Sequence, residues 1–443
     1  MKPGTLPISL FLILLTQACV FHPLSEDFLN PDETGENSAL LVALGLILAD
    51  QPFTVQSLDV DGEPRAIICD FHFIYVGGWA DTAGSREWRL EKRSRFSGEL
   101  DTSFGTNGVI TVDPDASGSD EIQDIAFDGT YLYLAGYDNV PGNLQWRVEK
   151  RSASDGAPDS SFASSGVLQH DPTPGQTDYL HAMELANGGI YLAGSSSTGG
   201  SGQQWRLEKR SLSSGALDTG FNGTGFVTVS AGGGTQSRIF AMAVDETYIY
   251  AAGANQPGGD LEWRLDKRLL SDGSLESVFN SGTVTDNAGS GAEDANIVAF
   301  DDSAVYISGS DPDQHIQINK YDRSTGTSIT AFAPPDGELV IDPSAGQDQA
   351  RALIPLSGQL LVVATDSTKG SDSQWRFSLH NSSDGSLVST FGADGVVQSD
   401  PSDANDSPTA ACTFGDFFFV AGYENSSPRS WRIEKRRLSD GGQ

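Results

Sequence analysis

Short runs of alternating apolar and polar residues, separated by turn residues, recur along most of this chain. The clearest example is residues 122–127 (IQDIAF), followed by Asp128-Gly129 and residues 131–135 (YLYLA). Period-two alternation is typical of β-strands, and Asp-Gly between two such runs favours a hairpin. Two further runs, at residues 146–152 and 167–170, predict that this segment forms four short antiparallel strands.

The third of these runs is a repeated sequence. It occurs as WRLEKR, WRVEKR, WRLEKR, WRLDKR, IQINKY, WRFSLH and WRIEKR, beginning at Trp88, Trp146, Trp205, Trp263, Ile316, Trp375 and Trp431. A phenylalanine lies 16 residues after the first position of the first six copies, at Phe104, Phe162, Phe221, Phe279, Phe332 and Phe391. Seven such units, spaced 53 to 59 residues apart, predict an all-β fold, a seven-bladed β-propeller of four-stranded blades. A solenoid is the alternative, but it would require polar capping repeats, which neither end offers.

The two ends of the repeat array complement each other. After Trp431 the chain stops at Gln443, before a phenylalanine and a fourth strand. Residues 52–58 form an extra strand-like run that precedes the first inner strand, at residues 64–69. We expect this run to complete the last blade, because joining both ends in one sheet removes an exposed edge and closes the ring.

The turn after the third strand resembles a known bacterial repeat. Residues 98–109 read GELDTSFGTNGV, and the same core returns as GALDTGFNGTGFV from Gly215 and GSLVSTFGADGVV from Gly385. This core is similar to the delta-60 repeat, a β-propeller repeat of unknown function. The resemblance covers most of residues 51–443 and implies the propeller fold, and it carries no catalytic residues to transfer.

Composition narrows the classes of partner. The chain has a formal net charge of −33 and a pI near 4.3. A surface of this sign repels phosphate backbones, so nucleic-acid binding is not expected. Basic proteins, cations and neutral glycans remain compatible partners, and solubility outside the cell explains the charge equally well.

The N-terminus is typical of an exported protein. Residues 1–18 carry one lysine and an apolar run from Leu6 to Leu15, which predicts a signal peptide. Cys19 follows Ala18 in an arrangement that resembles the relaxed lipobox of spirochaetal lipoproteins. The resemblance implies lipidation of Cys19 and anchoring to the outer membrane, on its periplasmic or its outer face. Ordinary cleavage near Ala18, leaving Cys19 as a free thiol, is the alternative.

Residues 19–50 are expected to link the anchor to the propeller. Residues 20–37 are polar and acidic, which favours a flexible tether. Residues 39–49 (ALLVALGLILA) are apolar but too few to cross a bilayer, and predict a short helix. The helix would pack on the folded body or make a shallow contact with the membrane.

One rim of the propeller is expected to carry any ligand site. In blades of this strand order, the loop leading into the inner strand and the loop between strands two and three share a rim. Three aromatic residues fall where the second loop begins, and we predict ligand contact there: Trp79, Tyr137 and Tyr423. The other loop repeats an acidic pattern, such as Asp113-Pro114 followed by Asp120, which fits ordinary turns better than calcium sites.

The repeated tryptophans are interpreted as packing between neighbouring blades, and the Arg and Glu of WRLEKR as pairs across strands within and between blades. The six histidines are scattered, with no metal-binding spacing, and no GxSxG motif is present. We therefore predict no catalytic residues, no metal site and no cofactor.

Cys69 and Cys412 are the remaining cysteines, and both fall on inner strands of blades that ring closure makes neighbours. A disulfide that staples the ring and a pair of buried thiols are both compatible with this placement.

Together these patterns predict a lipid-anchored envelope protein whose propeller binds a protein or glycan ligand, or serves as a scaffold, and is not an enzyme. The alternative is an envelope hydrolase or lyase that acts on polysaccharide or peptide through the channel.

Overall fold

Each repeat forms a four-stranded antiparallel sheet in which the first strand lies nearest the propeller axis. The computed structural model describes residues 50–443 except 58–59, 83, 116–117, 141, 200–201, 231–235, 258–260, 287–293, 312, 345 and 368–371. Residues 52–443 form one compact unit. The predictions for the signal peptide, Cys19, the tether and the apolar helix lie outside the described residues.

Seven four-stranded sheets account for the described strands, which confirms the predicted fold. Blades 1 to 3 contain β2 (Asp61–Cys69), β3 (Phe73–Thr82), β4 (Ser85–Ser94) and β5 (Val109–Val112); β6 (Glu121–Phe127), β7 (Tyr131–Asp138), β8 (Gln145–Ser152) and β9 (Val167–His170); and β10 (Tyr179–Ala186), β11 (Gly189–Ser197), β12 (Gln203–Ser211) and β13 (Phe226–Val229).

Blades 4 to 6 follow the same order. They contain β14 (Arg238–Val244), β15 (Tyr248–Asn255), β16 (Glu262–Leu269) and β17 (Thr283–Asp286); β18 (Ala295–Phe300), β19 (Ala304–Ser310), β20 (Ile316–Asp322) and β21 (Glu338–Ile341); and β22 (Gln349–Leu356), β23 (Gln359–Asp366), β24 (Gln374–Asn381) and β25 (Val396–Ser399). A single 3-10 turn, Asn280–Gly282, precedes β17 within the described residues.

Blade 7 is assembled from both ends of the chain. It contains β26 (Ser407–Phe414), β27 (Phe417–Glu424) and β28 (Ser430–Arg437), and its outer strand is β1 (Phe53–Ser57). β1 pairs antiparallel with β28, from Phe53 opposite Lys435 to Ser57 opposite Trp431. The predicted closure by the N-terminal strand is therefore confirmed.

The hydrophobic core is divided into seven clusters, each between two neighbouring blades. Trp88 packs with Ile122 and Ile125 of the next blade, and its indole Nε1 donates to the Tyr137 carbonyl at 3.1 Å. All six phenylalanines that lie 16 residues after the start of the repeated sequence are completely buried. The interpretation of the repeated tryptophans as packing between blades is thus confirmed, and each interface buries a large aromatic area.

The third strand of five blades carries a row of two arginines and one acid, in which the acid and the second arginine are buried in every blade. In blade 3, Arg206 and Arg210 donate to Glu208 at 2.6 and 2.8 Å, and Glu208 is fully buried. Burial alone would raise the Glu208 pKa, but His170, Arg210 and Arg206 outweigh it and lower the pKa to about 2. These pairs run mainly along one strand rather than across strands, since residues two apart share a face.

The first glycine of the turn sequence that resembles the delta-60 repeat, Gly98 in blade 1, accepts a hydrogen bond from this row. The last arginine of the row donates to the carbonyl of a glycine five residues on, as Arg93 does to Gly98 at 2.8 Å. Gly98 has a φ of +74°, a conformation that residues with a side chain rarely adopt. The turn glycine therefore gives the buried guanidinium an acceptor that a bulkier residue would displace.

Cys69 and Cys412 form a disulfide between the inner strands of blades 1 and 7, with their Cα atoms 6.2 Å apart. It links blade 7, which contains both β1 and β28, to the neighbouring blade 1. No helix within the described residues is long and apolar enough to cross a membrane.

Candidate functional site

The upper rim, defined here by the loops that lead into the inner strands and the loops between strands two and three, surrounds the mouth of the central channel. The order of strands in every blade places both loop types at this end. β1 begins at the opposite, lower rim, because Phe53 lies beside Lys435 near the end of β28.

The acidic loops on the upper rim are built as turns. The last aspartate of each loop, at Asp120, Asp178, Asp348 and Asp406, is almost fully buried. Asp120 accepts the backbone N–H of Asn139 at 2.9 Å, and Asp178 accepts that of Ser197 at 2.7 Å. Each carboxylate thus ties one rim loop to the other, which is the turn role that the sequence favoured over calcium.

Each inner strand contains one β-bulge near the upper rim. The extra residue in the seven blades is Arg65, Gln123, His181, Phe240, Asn296, Arg351 and Thr409. We call this set the bulge ring. Every member is half-buried although the residue before it is buried, so the bulge turns one side chain per blade towards the channel.

Arg65 is the centre of a small charge network at the mouth. It forms salt bridges with Glu63 at 3.2 Å and Glu121 at 3.3 Å. Both carboxylates are shared, because Arg429 also pairs with Glu63 and Arg86 with Glu121. Burial alone would lower the Arg65 pKa, but Glu121 and Glu63 outweigh it and raise the pKa.

Arg351 is the second guanidinium of the bulge ring. Its Nε donates to the Thr365 hydroxyl at 3.1 Å, and it forms no salt bridge with a described residue. Burial lowers its pKa, and the charge of Arg65 lowers it further. Two blades separated by blade 7 therefore aim positive charges at the same part of the channel.

His181 sits among aromatic rings on the other side of the mouth. It stacks on Tyr179 with ring centroids 5.7 Å apart and an interplanar angle of 8°, and Phe240 lies 5.2 Å away. Burial, with the nearby charges of Arg238 and Arg65, lowers its pKa to about 3. His181 is therefore neutral at pH 7, and its Nε2 has no partner among the described residues.

A polar cavity of about 450 Å³ opens on the upper rim beside His181. Its lining includes Asn143, Gln176, Tyr179, Ser197, Gln203 and Arg238. The Arg238 guanidinium lies 4.8 Å from the Tyr179 ring centroid. Two buried atoms here have no partner among the described residues: the donor Nε of Arg238 and the acceptor Oε1 of Gln203.

Two carboxylates lie below the bulge ring in the channel wall. Asp124 accepts the backbone N–H groups of Ile125 and Met183, both at 2.8 Å, yet burial raises its pKa to about 7. Glu184 forms no hydrogen bond or salt bridge with a described residue, and burial together with the charge of Asp124 raises its pKa to about 8. Both side chains are half-buried.

The three aromatic residues predicted to contact ligand occupy different environments. Tyr137 and Tyr423 are half-buried at the mouth, where the Tyr137 hydroxyl accepts from Gln123 at 3.3 Å and Arg429 covers Tyr423 at 4.5 Å. Trp79 is only 5% exposed and is covered by Arg86 at 4.0 Å, so it presents little surface to a ligand. Contact at these residues stays a prediction, and the geometry favours Tyr137 and Tyr423.

Sequence reasoning missed the bulge ring and the carboxylates beneath it. The ring holds a different residue type in almost every blade, so it does not stand out as a repeat. A partial signal was nevertheless present, because Arg, Gln, His, Phe, Asn and Thr replace one another at this position, although the position two residues earlier varies as widely.

One group of metal-binding residue types occurs in the described part of the chain. Asp311, Asp313 and His315 hold potential ligand atoms within 4.8 Å of one another in the loop between β19 and β20. His315 Nδ1 already pairs with Asp311 Oδ2 at 2.9 Å, which raises the His315 pKa although burial opposes it. Since no second observation points to an ion, we assign no metal site here.

Comparison with protein families identifies no matching family model, and no curated protein matches the chain. Solved structures do match at the level of fold. Chaetomium thermophilum Sqt1 bound to the N-terminus of ribosomal protein L10 is 14% identical, with 87% of this chain and 88% of that chain covered and a TM-score of 0.48.

Two further matches are similar in extent. The β-propeller domain of Myceliophteria thermophila Cps50 (Swd1) is 11% identical, with 86% and 98% covered and a TM-score of 0.46. The quinohemoprotein alcohol dehydrogenase ADHIIG of Pseudomonas putida HK5 is 10% identical, with 88% and 67% covered and a TM-score of 0.49. Likeness at this level concerns the propeller architecture alone.

Proposed function

We propose that this protein is a lipid-anchored binding module of a bacterial envelope and that its ligand enters the channel mouth on the upper rim. The observation that carries the proposal is the bulge ring. A repeated backbone feature turns one side chain per blade towards the channel, while the side chain itself varies from blade to blade. Concave sites with a few convergent polar groups are where propellers and other folds bind ligands.

The charges at the mouth support binding rather than packing. Arg351 lacks a carboxylate partner among the described residues, and burial, together with the charges of Arg238 and Arg65, lowers the pKa of His181 so that it is neutral at pH 7. Partly buried cations without counter-charges reduce stability, so their presence is better explained by a ligand than by the fold.

The first experiment is a binding screen of the full chain in mild detergent against arrays of glycans and envelope or host proteins. We expect at least one saturable ligand. Tyr137→Ala and Tyr423→Ala should each weaken that binding at least tenfold, because both rings border the mouth.

Tyr131→Ala is the matched control for this screen. Tyr131 is half-buried on the same strand as Tyr137 but lies at the lower rim. Equal loss with Tyr131→Ala and Tyr137→Ala would place the ligand elsewhere, and the absence of any saturable ligand would point to a purely structural role.

Membrane anchoring through Cys19 is tested separately. Labelling with radioactive palmitate should modify the wild type and not Cys19→Ala, and Cys19→Ala should move the protein from the membrane to the soluble fraction. Unchanged labelling would overturn the lipid anchor. Protease treatment of intact cells would then distinguish the outer surface from the periplasm.

A second candidate function is hydrolysis or elimination within the channel. Asp124 and Glu184 favour it, because two nearby carboxylates with pKa values of about 7 and 8 can hold and release a proton near neutral pH. A ligand found in the screen should then be consumed by the wild type and bound without turnover by Glu184→Gln. A ligand that is never consumed would reject the enzyme.

A further inference from the structure

Four arginines lie at the channel mouth although the chain carries a formal charge of −33: Arg65, Arg86, Arg351 and Arg429. Glu63 and Glu121 pair with three of them, whereas Arg351 forms no salt bridge with a described residue. At physiological salt, charges on the rest of the surface are screened beyond about 8 Å. An anionic group that reaches the mouth is therefore attracted there, whereas a long polyanion is repelled by the remaining surface.

The polar cavity beside the mouth contains a further guanidinium, that of Arg238, whose Nε donor has no partner among the described residues. Arg238 forms no salt bridge with a described residue, and its contacts are the Tyr179 ring and a weak hydrogen bond to Gln236 Oε1 at 3.5 Å. Asp294 is close enough to Arg238 for its pKa to be affected, but burial dominates and raises the Asp294 pKa. A carboxylate on Arg238 would pair with the unpartnered Nε in the planar geometry that guanidinium groups favour.

The same cavity offers a free acceptor. The amide of Gln203 donates its Nε2 to the Thr177 carbonyl at 2.9 Å, which leaves the buried Oε1 without a partner among the described residues. A hydroxyl group of a ligand would satisfy it by donating. A simple anion cannot do so, and a neutral sugar would leave Arg238 without a counter-charge.

The lining also indicates what the ligand is not. Apart from Tyr179 and Arg238, the described residues that border the cavity are glycines and residues with amide or hydroxyl side chains, and none of these described residues is aliphatic. Apolar side chains of a peptide would gain little by entering it. Multiple hydroxyl groups, in contrast, find partners on Asn143, Ser197 and Gln203.

We propose that this cavity binds a sugar acid, with its carboxylate on Arg238 and its hydroxyl groups on Gln203 and the neighbouring amides. The inference rests on the proposed binding function and names the ligand class of its site. A sugar acid at the end of a neutral glycan meets all these conditions, because it carries one charge and several hydroxyl donors.

The test compares four small probes on the full chain in detergent: methyl β-D-glucuronide, methyl β-D-glucoside, acetate and N-acetyl-triglycine. Titration followed by NMR should give a dissociation constant for the glucuronide at least tenfold below those of the other three. Arg238→Gln should remove the preference over the glucoside, and Gln203→Leu should weaken both sugars.

The control variant is Arg437→Gln, which also removes one positive charge but lies at the lower rim, paired with Asp440. It should leave all affinities unchanged. His181 supplies a readout in the wild-type protein that does not depend on any variant folding. Its pKa, about 3 in the free protein, should rise when the glucuronide carboxylate offsets Arg238.

Three results would overturn the inference: equal affinity for glucuronide and glucoside, tighter binding of the tripeptide, or a preference that survives Arg238→Gln. These results are distinct from failure of the proposed function. If the array yields a ligand that depends on Tyr137 and Tyr423 while the glucuronide does not bind, only the sugar acid is rejected. If nothing binds, both are rejected.

Discussion

The third strand and the inner strand of each blade differ in what they repeat. The third strand repeats its side chains, because an arginine, a buried acid and a second, buried arginine occupy the same positions in five blades. The inner strand repeats its backbone, with a bulge at the same place in all seven blades, while the side chain at the bulge changes.

This difference separates stability from recognition. A row of buried charges stabilises the fold only if every charge is paired, so its arginines and its acid recur together. A side chain that faces the channel meets no fixed partner and is free to differ. In a propeller, the repeated residues therefore describe the scaffold, and the variable residues at a repeated position are the better guide to a site.

The largest effect is expected from removing the acid of one ion row. Glu208→Ala leaves Arg206 and Arg210 buried without their carboxylate, and should lower the free energy of unfolding by about 3–5 kcal/mol. Blade 6 provides the control, because Ser378 occupies the acid position there and makes one neutral hydrogen bond, to His380 at 2.9 Å. Ser378→Ala should cost only about 1–2 kcal/mol. If both variants lost the same free energy of unfolding in denaturant titrations, the buried ion rows would not be what stabilises the third strands.

The disulfide shows whether residues that do not repeat on the inner strands can stabilise the fold without taking part in ligand binding. Cys69 and Cys412 are unrepeated, yet they close a loop with a sequence separation of 343 residues. Replacing both by serine should lower the free energy of unfolding by about 2–4 kcal/mol without changing ligand affinity. Reductant should destabilise the wild type and leave the double variant unaffected, and an unchanged wild type would contradict this role.

Glu184→Gln should produce a smaller, pH-dependent effect. A carboxyl group whose pKa is raised on folding binds its proton more tightly in the folded state, so its stabilising effect is full at low pH and declines as pH rises towards 8. The neutral glutamine should thus match the wild type near pH 4 and exceed it by about 1–2 kcal/mol at pH 8.5, after allowance for channel water. Glu99→Gln, at an exposed turn, is the control, and a gain that is the same at both pH values would contradict the assignment.

Arg351→Gln should have the smallest effect on stability, and with the opposite sign to Glu208→Ala. Relief of the repulsion from Arg65 and of a desolvated charge should raise the free energy of unfolding or leave it unchanged, within about 1 kcal/mol. Ligand affinity should fall at the same time. A clear loss of stability would reclassify Arg351 as part of the scaffold.

The fold could be predicted because its determinants are repeated and local. Tryptophan and phenylalanine at a constant offset, with turn glycines between them, specify strand length and the packing of one blade on the next. The closure by residues 52–58 followed from counting strands, and β1 confirmed it. Whether the ion pairs run along one strand or across strands was harder to predict. Side chains two residues apart on one strand and side chains on adjacent strands lie at similar distances from each other.

The mouth of the channel could not be predicted in the same way. A bulge shifts the alternation by one residue, so Arg65, His181 and Arg351 occupy positions that a strict period of two would assign differently. The raised pKa values of Asp124 and Glu184 depend on burial in the channel wall, which has no local sequence signal. Trp79 was chosen as an exposed aromatic by its position in the loop, but the covering side chain of Arg86 comes from the next strand.

The closure of blade 7 also determines the order in which the chain can mature. Phe53 can pair with Lys435 only after Lys435 has been synthesised. At a translation rate of roughly 5–20 residues per second, about 20–75 s pass between the synthesis of the two residues. Blades 1 to 6 can assemble from neighbouring segments, whereas blade 7 forms only when the final strand has arrived. A chain cut before β28 keeps β1 as an unpaired edge, so β1 stays open to pairing with other chains until β28 is made.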